Sequence, residues 1–310
     1  MIYTVTFNPA IDYVIKVDKL QTGKINRAES EQLNYGGKGI NVSVILSRLG
    51  IENTALGFIA GFSGERLAEM LDDDGINNDF IRLKKGLTRI NVKIKSDNET
   101  DINADGPEIQ ENDLERLFEK LDKIRQEDFL VLAGSIPKSL PNNIYEKILD
   151  TLDGKGIKFV VDATGDLLLN VLQYKPFLIK PNHHELGELF GVHIESFDDI
   201  VRYGKMLQEK GAQNVLISWG KKGAVLLDNQ GIIRKAGNVP GEIVSSVGCG
   251  DSMVAGFIAG YIKSSEYGYA LKLGSACGNA TAFSQSLAVK EEIEAMLTNE
   301  HLGEDFNENC

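Results

Sequence analysis

The chain has few cysteines, no membrane-length apolar run and too little positive charge to balance its acids. Cys249, Cys277 and Cys310 are the only thiols in 310 residues. They are too few and too scattered for a disulfide framework or a metal-ligand pattern, and a reducing cytoplasmic setting is the simplest expectation. The longest apolar runs, such as residues 253–262, fall far short of the roughly 20 residues that cross a bilayer. The opening Met-Ile-Tyr-Thr-Val-Thr-Phe has no basic stretch ahead of its apolar residues, so it reads as a strand and not as a signal peptide. Lys and Arg number 33 against 45 Asp and Glu, a net charge of −12. That balance argues against nucleic acid and anionic membranes as partners, because both need a basic surface. There is no internal repeat and no low-complexity tract. The tail 299–310 is polar and expected to fray.

What is present is a large apolar fraction in a regular order. At 42% hydrophobic residues the chain can bury a sizeable core, and α/β domains of this length are often single. Short β-branched runs at 2–7, 54–59, 129–132, 159–161, 177–179 and 215–218 each end in a turn, and most lead into a helix-like segment. Such runs look buried on both faces, and their alternation with helices predicts a doubly wound, mostly parallel sheet. Ligands in such sheets lie beyond the carboxyl ends of the strands. Residues 13–17 and 89–95 instead alternate apolar with polar, which implies one buried and one wet face. With 29–34 and 100–103 they predict a small antiparallel sheet, read as a lid. The expected organisation is one domain over 1–310, with the lid formed by about 11–36 and 86–105.

The most telling segment is Val-Gly-Cys-Gly-Asp-Ser-Met-Val-Ala-Gly at 247–256. Gly248 and Gly250 permit a tight turn with bare N–H groups, and the apolar run from 253 predicts a helix behind it. A helix N-terminus binds anions. Asp251 cannot help a phosphate there by charge, so it reads as a base that takes a proton from an attacking hydroxyl. The plainer alternative is an ordinary capped loop.

Other parts of the chain carry chemistry-bearing residues. Gly36-Gly37-Lys38-Gly39-Ile40-Asn41 precedes an apolar helix, allowing either phosphate binding by Lys38 or a simple hinge; it lacks P-loop spacing. Asp12 follows the first strand, as a sugar-hydroxyl acceptor or a turn residue. Arg27 and Arg89 suit bidentate phosphate contacts, or are solvated surface arginines. Asn182-His183-His184-Glu185 puts Asn182 and Glu185 on one helix face, which suits a hydrated magnesium ion or, equally, a capping pattern. The histidines are adjacent and point apart, so they are read as surface or outlying residues. Ser218-Trp219-Gly220-Lys221-Lys222-Gly223 follows a strand, as a nucleotide loop or a hairpin turn. Asn279 could face the same cleft.

The early Gly-Gly-Lys-Gly-Ile-Asn, the Asn-x-x-Glu at 182–185 and the late Gly-Cys-Gly-Asp-Ser together resemble the ribokinase-like (PfkB-type) carbohydrate kinases, along nearly the whole chain. The opening up to Asp12, Thr88-Arg89-Ile90-Asn91, and the segment from Glu99 through Asn103 to Gly106-Pro107-Glu108 are most similar to the members acting on fructose 1-phosphate. Those acting on tagatose 6-phosphate are the nearest competitor. The resemblance implies a ribokinase-like α/β fold and ATP-dependent phosphorylation of a sugar phosphate with magnesium. It implies Asp251 as base and Gly248, Cys249 and Gly250 as the anion hole. Asp12, Gly37, Lys38, Asn41 and Asn91 would bind the sugar, and Arg27, Lys38 and Arg89 its phosphate. Asn182 and Glu185 would organise magnesium. Lys180, Asn182, Ser218, Gly220, Gly223 and Asn279, with Gly248 and Gly250, would hold the nucleotide. A homodimer through the lid is the implied assembly. A sensor that kept the fold without catalysis is a third reading, disfavoured by Asp251. Cys249 and Trp219 depart from the usual pattern. A thiol at a helix N-terminus is expected to have a lowered pKa and to be reactive, and Trp219 to alter the nucleotide pocket.

Overall fold

The structure is a computed structural model that describes residues 1–302. Residues 303–310, including Cys310 and most of the expected polar tail, lie outside the described residues. Along the chain run β1 (Ile2–Thr6), β2 (Ala10–Lys16), β3 (Ser30–Gly36), α1 (Lys38–Arg48), β4 (Asn53–Ala60), α2 (Gly61–Asp73) and β5 (Ile81–Leu83). Next come β6 (Arg89–Lys95), β7 (Thr100–Ile102), α3 (Glu111–Leu121), β8 (Phe129–Ala133), α4 (Ile144–Leu152), β9 (Lys158–Asp162) and α5 (Gly165–Val171). The last part holds β10 (Leu178–Ile179), α6 (His183–Phe190), α7 (Phe197–Glu209), β11 (Asn214–Ser218), β12 (Ala224–Leu227), β13 (Ile233–Ala236), α8 (Cys249–Ser264), α9 (Tyr267–Phe283) and α10 (Lys290–Leu297).

Nine strands form the main sheet in the order β13-β12-β11-β10-β9-β8-β1-β4-β5, parallel from β11 through β5 and antiparallel at β12 and β13. The mixed α/β architecture expected from the sequence is therefore present. Side chains alternate across the sheet. Leu130 and Leu132 of β8 pack into the cluster that holds Leu117, Ile148 and Leu207 from α3, α4 and α7. Phe129, Val131 and Ala133 pack into the cluster that holds Val42, Ile45, Val254 and Leu273 from α1, α8 and α9. Both faces are covered by helices, which is why these strands carry apolar side chains at every position.

A separate four-stranded sheet runs β3-β2-β6-β7, with β2 and β6 parallel and the two outer pairs antiparallel. It pairs Asp12 with Asn91 directly across β2 and β6. The main sheet reverses direction of travel at β1 and β8, and the carboxyl ends there and at β9 and β10 deliver Asn8, Ser135, Asp162 and Lys180 to one edge. No helix among the described residues is long and apolar enough to cross a membrane.

Candidate active site

The helix behind Gly248 starts earlier than the sequence predicts. α8 begins at Cys249, not near Met253, so Gly250 and Asp251 lie within its first turn. Gly248 makes this turn possible: its φ is +78°, and an added Cβ would lie 2.5 Å from Leu287 Cδ2. By position, the first-turn N–H groups of α8 have no intrahelical acceptor. They are joined by a cation, because a Cβ on Gly250 would lie 3.1 Å from Lys180 Nζ.

Asp251 is buried at 6% exposure, and Asn41 Nδ2 donates to its Oδ2 at 2.8 Å. Burial, and then the nearby Asp162 carboxylate, push its pKa up to about 6, against the opposing pull of Asn41, Lys38 and Lys180. Asn41 thus contacts Asp251 itself, in addition to its place on the cavity wall.

Asp162 is the residue the sequence reading missed. It ends β9, one strand over from Lys180 at the end of β10, and the register sets the two side by side. Its Oδ2 accepts from Lys38 Nζ at 3.0 Å, and its Oδ1 lies 3.5 Å from Lys180 Nζ. Burial alone would raise the Asp162 pKa, but the Lys180 and Lys38 ammonium groups outweigh it and hold the carboxyl below its usual range. Burial lowers the Lys38 pKa, but Asp162 and Asp251 more than offset this and raise it. Two ammonium groups and two carboxylates therefore form one compact, nearly neutral cluster. The only sequence signal for Asp162 was its place at a strand's carboxyl end.

Two cavities meet at this cluster. The first, ≈ 840 Å³, lies between the small sheet and the α8 turn, with Asp12, Asn41, Asn91, Gly248 and Asp251 in its wall. The second, ≈ 630 Å³, is lined by Asn8, Ser135, Asn142, Asp162 and Thr164. Gly37, Lys38 and Arg89 border both. Asp12 accepts from Asn91 Nδ2 at 2.8 Å and lies 3.5 Å from Lys93 Nζ. Lys93 was also missed, although the period-two pattern of β6 puts it on the same face as Arg89 and Asn91. Arg89 donates Nε to the Asn8 carbonyl at 3.1 Å. Among the described residues its Nη groups have no hydrogen-bond partner.

Other expected residues lie elsewhere. Arg27 is exposed in the segment between β2 and β3 and lines neither cavity. Asn182 and Glu185 form a reciprocal cap on α6: Asn182 Oδ1 accepts from the N–H groups of His184 and Glu185, and Glu185 Oε2 accepts from that of Asn182. Glu185 is still close enough for its charge to raise the Lys38 pKa. Ser218 bridges to Asn182 at the end of β11. Gly220 opens a single 3-10 turn, and Gly223 has a φ of +92° where a Cβ would lie 2.0 Å from the Ala236 carbonyl oxygen. Asn279, on α9, donates to the Ser275 carbonyl and accepts from Val239 N–H, so its amide pins the strand-to-helix connection ahead of α8. Neither cavity is lined by Ser218, Gly220, Gly223 or Asn279. Trp219 packs into the main core under Lys222, whose Nζ lies 4.2 Å from the ring centroid. Cys249 corrects the expectation of a reactive thiol: burial, then the Asp251 charge, push its pKa up to about 11.

The model of the pfkB family carbohydrate kinases matches residues 4–293. The chain belongs to the PfkB family of carbohydrate kinases. A 1-phosphofructokinase of Bacillus subtilis is 45% identical over 96% of this chain and 97% of its own. A D-tagatose-1-phosphate kinase of Bacillus licheniformis is 38% identical over 95% and 96%. A crystal structure of a putative phosphofructokinase from Staphylococcus aureus superposes with a TM-score of 0.87 at 43% identity, over 96% of this chain and 97% of that one. In this PfkB kinase, then, the buried acid–lysine cluster sits on the scaffold of a phosphoryl-transfer family.

Proposed function

We propose that the protein transfers the γ-phosphoryl group of ATP to the 6-hydroxyl of fructose 1-phosphate, giving fructose 1,6-bisphosphate and ADP. The observation that carries this reading is Asp251: a buried carboxyl with a pKa pushed up to about 6, in the first turn of a helix and facing a sugar-sized cavity. A carboxylate poised near neutrality accepts a hydroxyl proton as that oxygen attacks. The Gly248–Gly250 turn and Lys180 would stabilise charge on the transferring group. Asp12, held by Asn91 and Lys93, would orient the sugar hydroxyls.

The C1 phosphate fits best at Arg89, where the two cavities meet and Ser135 lines the second. Lys38 suits this less well than the sequence suggested, because Asp162 already neutralises it at 3.0 Å. The small sheet would act as the lid and exclude water. We place Ser218, Gly220, Gly223 and Asn279 along the nucleotide.

Magnesium fits only as an ion carried largely by nucleotide phosphates and water. Among the described residues no cluster of three or more His, Cys, Asp or Glu could hold it, and the cap occupies Asn182 Oδ1 and Glu185 Oε2. Glu185, with Asn182 beside it, would hold its hydration shell, as suits a cation that dehydrates reluctantly. Bound there, the ion neutralises phosphate charge.

The test is ADP release from MgATP with fructose 1-phosphate, tagatose 1-phosphate, tagatose 6-phosphate and fructose 6-phosphate compared side by side. The reading expects the highest kcat/KM with fructose 1-phosphate. The Bacillus licheniformis relative makes tagatose 1-phosphate the second reading, and a preference for it would keep the chemistry and replace the sugar. Binding without turnover for all four would leave a sensor.

A further inference from the structure

Helix α1 reaches Asp251 directly at its start and, at its end, the 287–288 segment that lies beside the Gly248 turn. At its start, Asn41 donates to Asp251. At its end, Arg48 lies half-buried on the wall of the first cavity and spreads its guanidinium over three acceptors. Nη1 donates to the Leu287 carbonyl and to the Ala288 carbonyl at 3.0 Å, and Nη2 donates to Tyr35 Oη at 3.2 Å. Tyr35 belongs to β3 of the small sheet, and its hydroxyl donates onward to Asp74 Oδ2 at the end of α2.

The segment under Arg48 leads back to the active turn by two routes. Leu287 packs against Gly248 so closely that a Cβ there would lie 2.5 Å from its Cδ2. Ala288 N–H donates to Thr281 Oγ1 at 3.2 Å, and that oxygen is 2.8 Å from Ser252 Oγ, beside Asp251. Thr281 and Ser252 are fully buried, so the polar route does not compete with water. A continuous polar chain thus runs Tyr35, Arg48, Ala288, Thr281, Ser252, with a packing contact through Leu287 parallel to it.

We propose that Arg48 is a positioning residue that couples the small sheet to the α8 turn, so that sugar-phosphate binding in the first cavity, whose wall includes Asn34 and Tyr35 of β3, sets the geometry of Gly248 and Asp251. The inference rests on the reading of Asp251 as the base. Its physical requirement is a planar, forked donor. The guanidinium reaches two carbonyls and a phenol from two nitrogens of one planar fork, whereas a lysine carries its charge and its three donors on a single atom. Coupling of this kind needs a contiguous element that both sites bias, and this chain of contacts supplies one.

The test compares Arg48→Gln, Arg48→Lys, Tyr35→Phe and Arg48→Gln/Tyr35→Phe in the full chain. For each, kcat, the KM for fructose 1-phosphate and for ATP, the Tm, and hydrogen exchange over residues 248–254 with and without fructose 1-phosphate are measured. Arg48→Gln is expected to lower kcat roughly 10²-fold, the scale of a small misplacement of reacting groups, while the KM for ATP stays within about twofold. Arg48→Lys does not rescue it. Tyr35→Phe raises the KM for the sugar phosphate in the wild-type background and has no further effect beside Arg48→Gln. Sugar phosphate protects 248–254 in the wild type and not in Arg48→Gln. Full rescue by lysine, equal Tyr35→Phe effects in both backgrounds, or protection that survives in Arg48→Gln overturns the coupling. Wild-type protection without phosphoryl transfer would overturn the base reading and leave the coupling intact.

Discussion

Asp251 and Asp162 are two buried carboxyls, close together, with opposite pKa shifts, and the difference comes from their neighbours. Asp162 lies 3.0 and 3.5 Å from two ammonium groups; at Asp251, burial and the Asp162 charge outweigh the pull of Asn41, Lys38 and Lys180. Because Asp251 must be ionised to accept a proton, kcat/KM should fall as pH drops through about 6. Asp162→Asn removes the negative charge beside Asp251 and leaves Lys38 and Lys180 uncompensated. Both changes favour ionised Asp251, so the acid limb of the profile should move to lower pH. A limb that stays in place or moves up would mean another group controls it. Cys249 makes a second prediction at this scale. With its thiol pushed up to about 11, it should alkylate slowly at neutral pH. Mass spectrometry of a Cys310→Ser variant treated with iodoacetamide checks this, and rapid modification of Cys249 would contradict it.

At the scale of elements, the sequence made the main strands legible because their faces are both covered, so the apolar run is unbroken from end to end. Phe129–Ala133 is the clearest case. The start of α8 was not legible. Small residues at 248–252 carry no helical periodicity, and their helicity follows from the φ of Gly248 and from packing against Leu287. Asp162 was not legible either. Its partners Lys38 and Lys180 are distant in the chain and meet only through the strand order. The capping box of α6 was visible at Asn182 and Glu185, yet the pattern alone could not separate a cap from a metal site. Gly248→Ala tests the element directly. Its positive φ costs about 1–2 kcal/mol for an alanine, and the new Cβ meets Leu287. Both the Tm and kcat should fall, kcat by roughly tenfold or more, and Leu287→Ala should recover only part of the loss because the strain at φ remains. Unchanged kcat would show that the turn does not carry the chemistry.

For the whole molecule, we propose that both closure and assembly depend on the small sheet. β3 and β7 are its edges, and Leu33 and Ile102 on them are 46% and 58% exposed. Unpaired edges and bare apolar side chains favour cover by a second copy of the chain, so we expect a homodimer through this sheet. Light scattering should give twice the 34.0 kDa chain mass, and Leu33→Lys/Ile102→Lys should shift it toward the monomer. A wild-type monomer at micromolar concentration would remove the dimer from the account. Such an assembly would also decide what exposed Arg27 faces.

The central claim is that Asp251 is the base, and one comparison tests it most directly: single-turnover and steady-state phosphoryl transfer from MgATP to fructose 1-phosphate by the wild type and by Asp251→Asn. The substitution keeps the shape and an acceptor for Asn41 while removing the charge. The account predicts a fall in turnover of ~10²–10⁴-fold, with substrates still raising the Tm. Near-normal turnover by Asp251→Asn would contradict it.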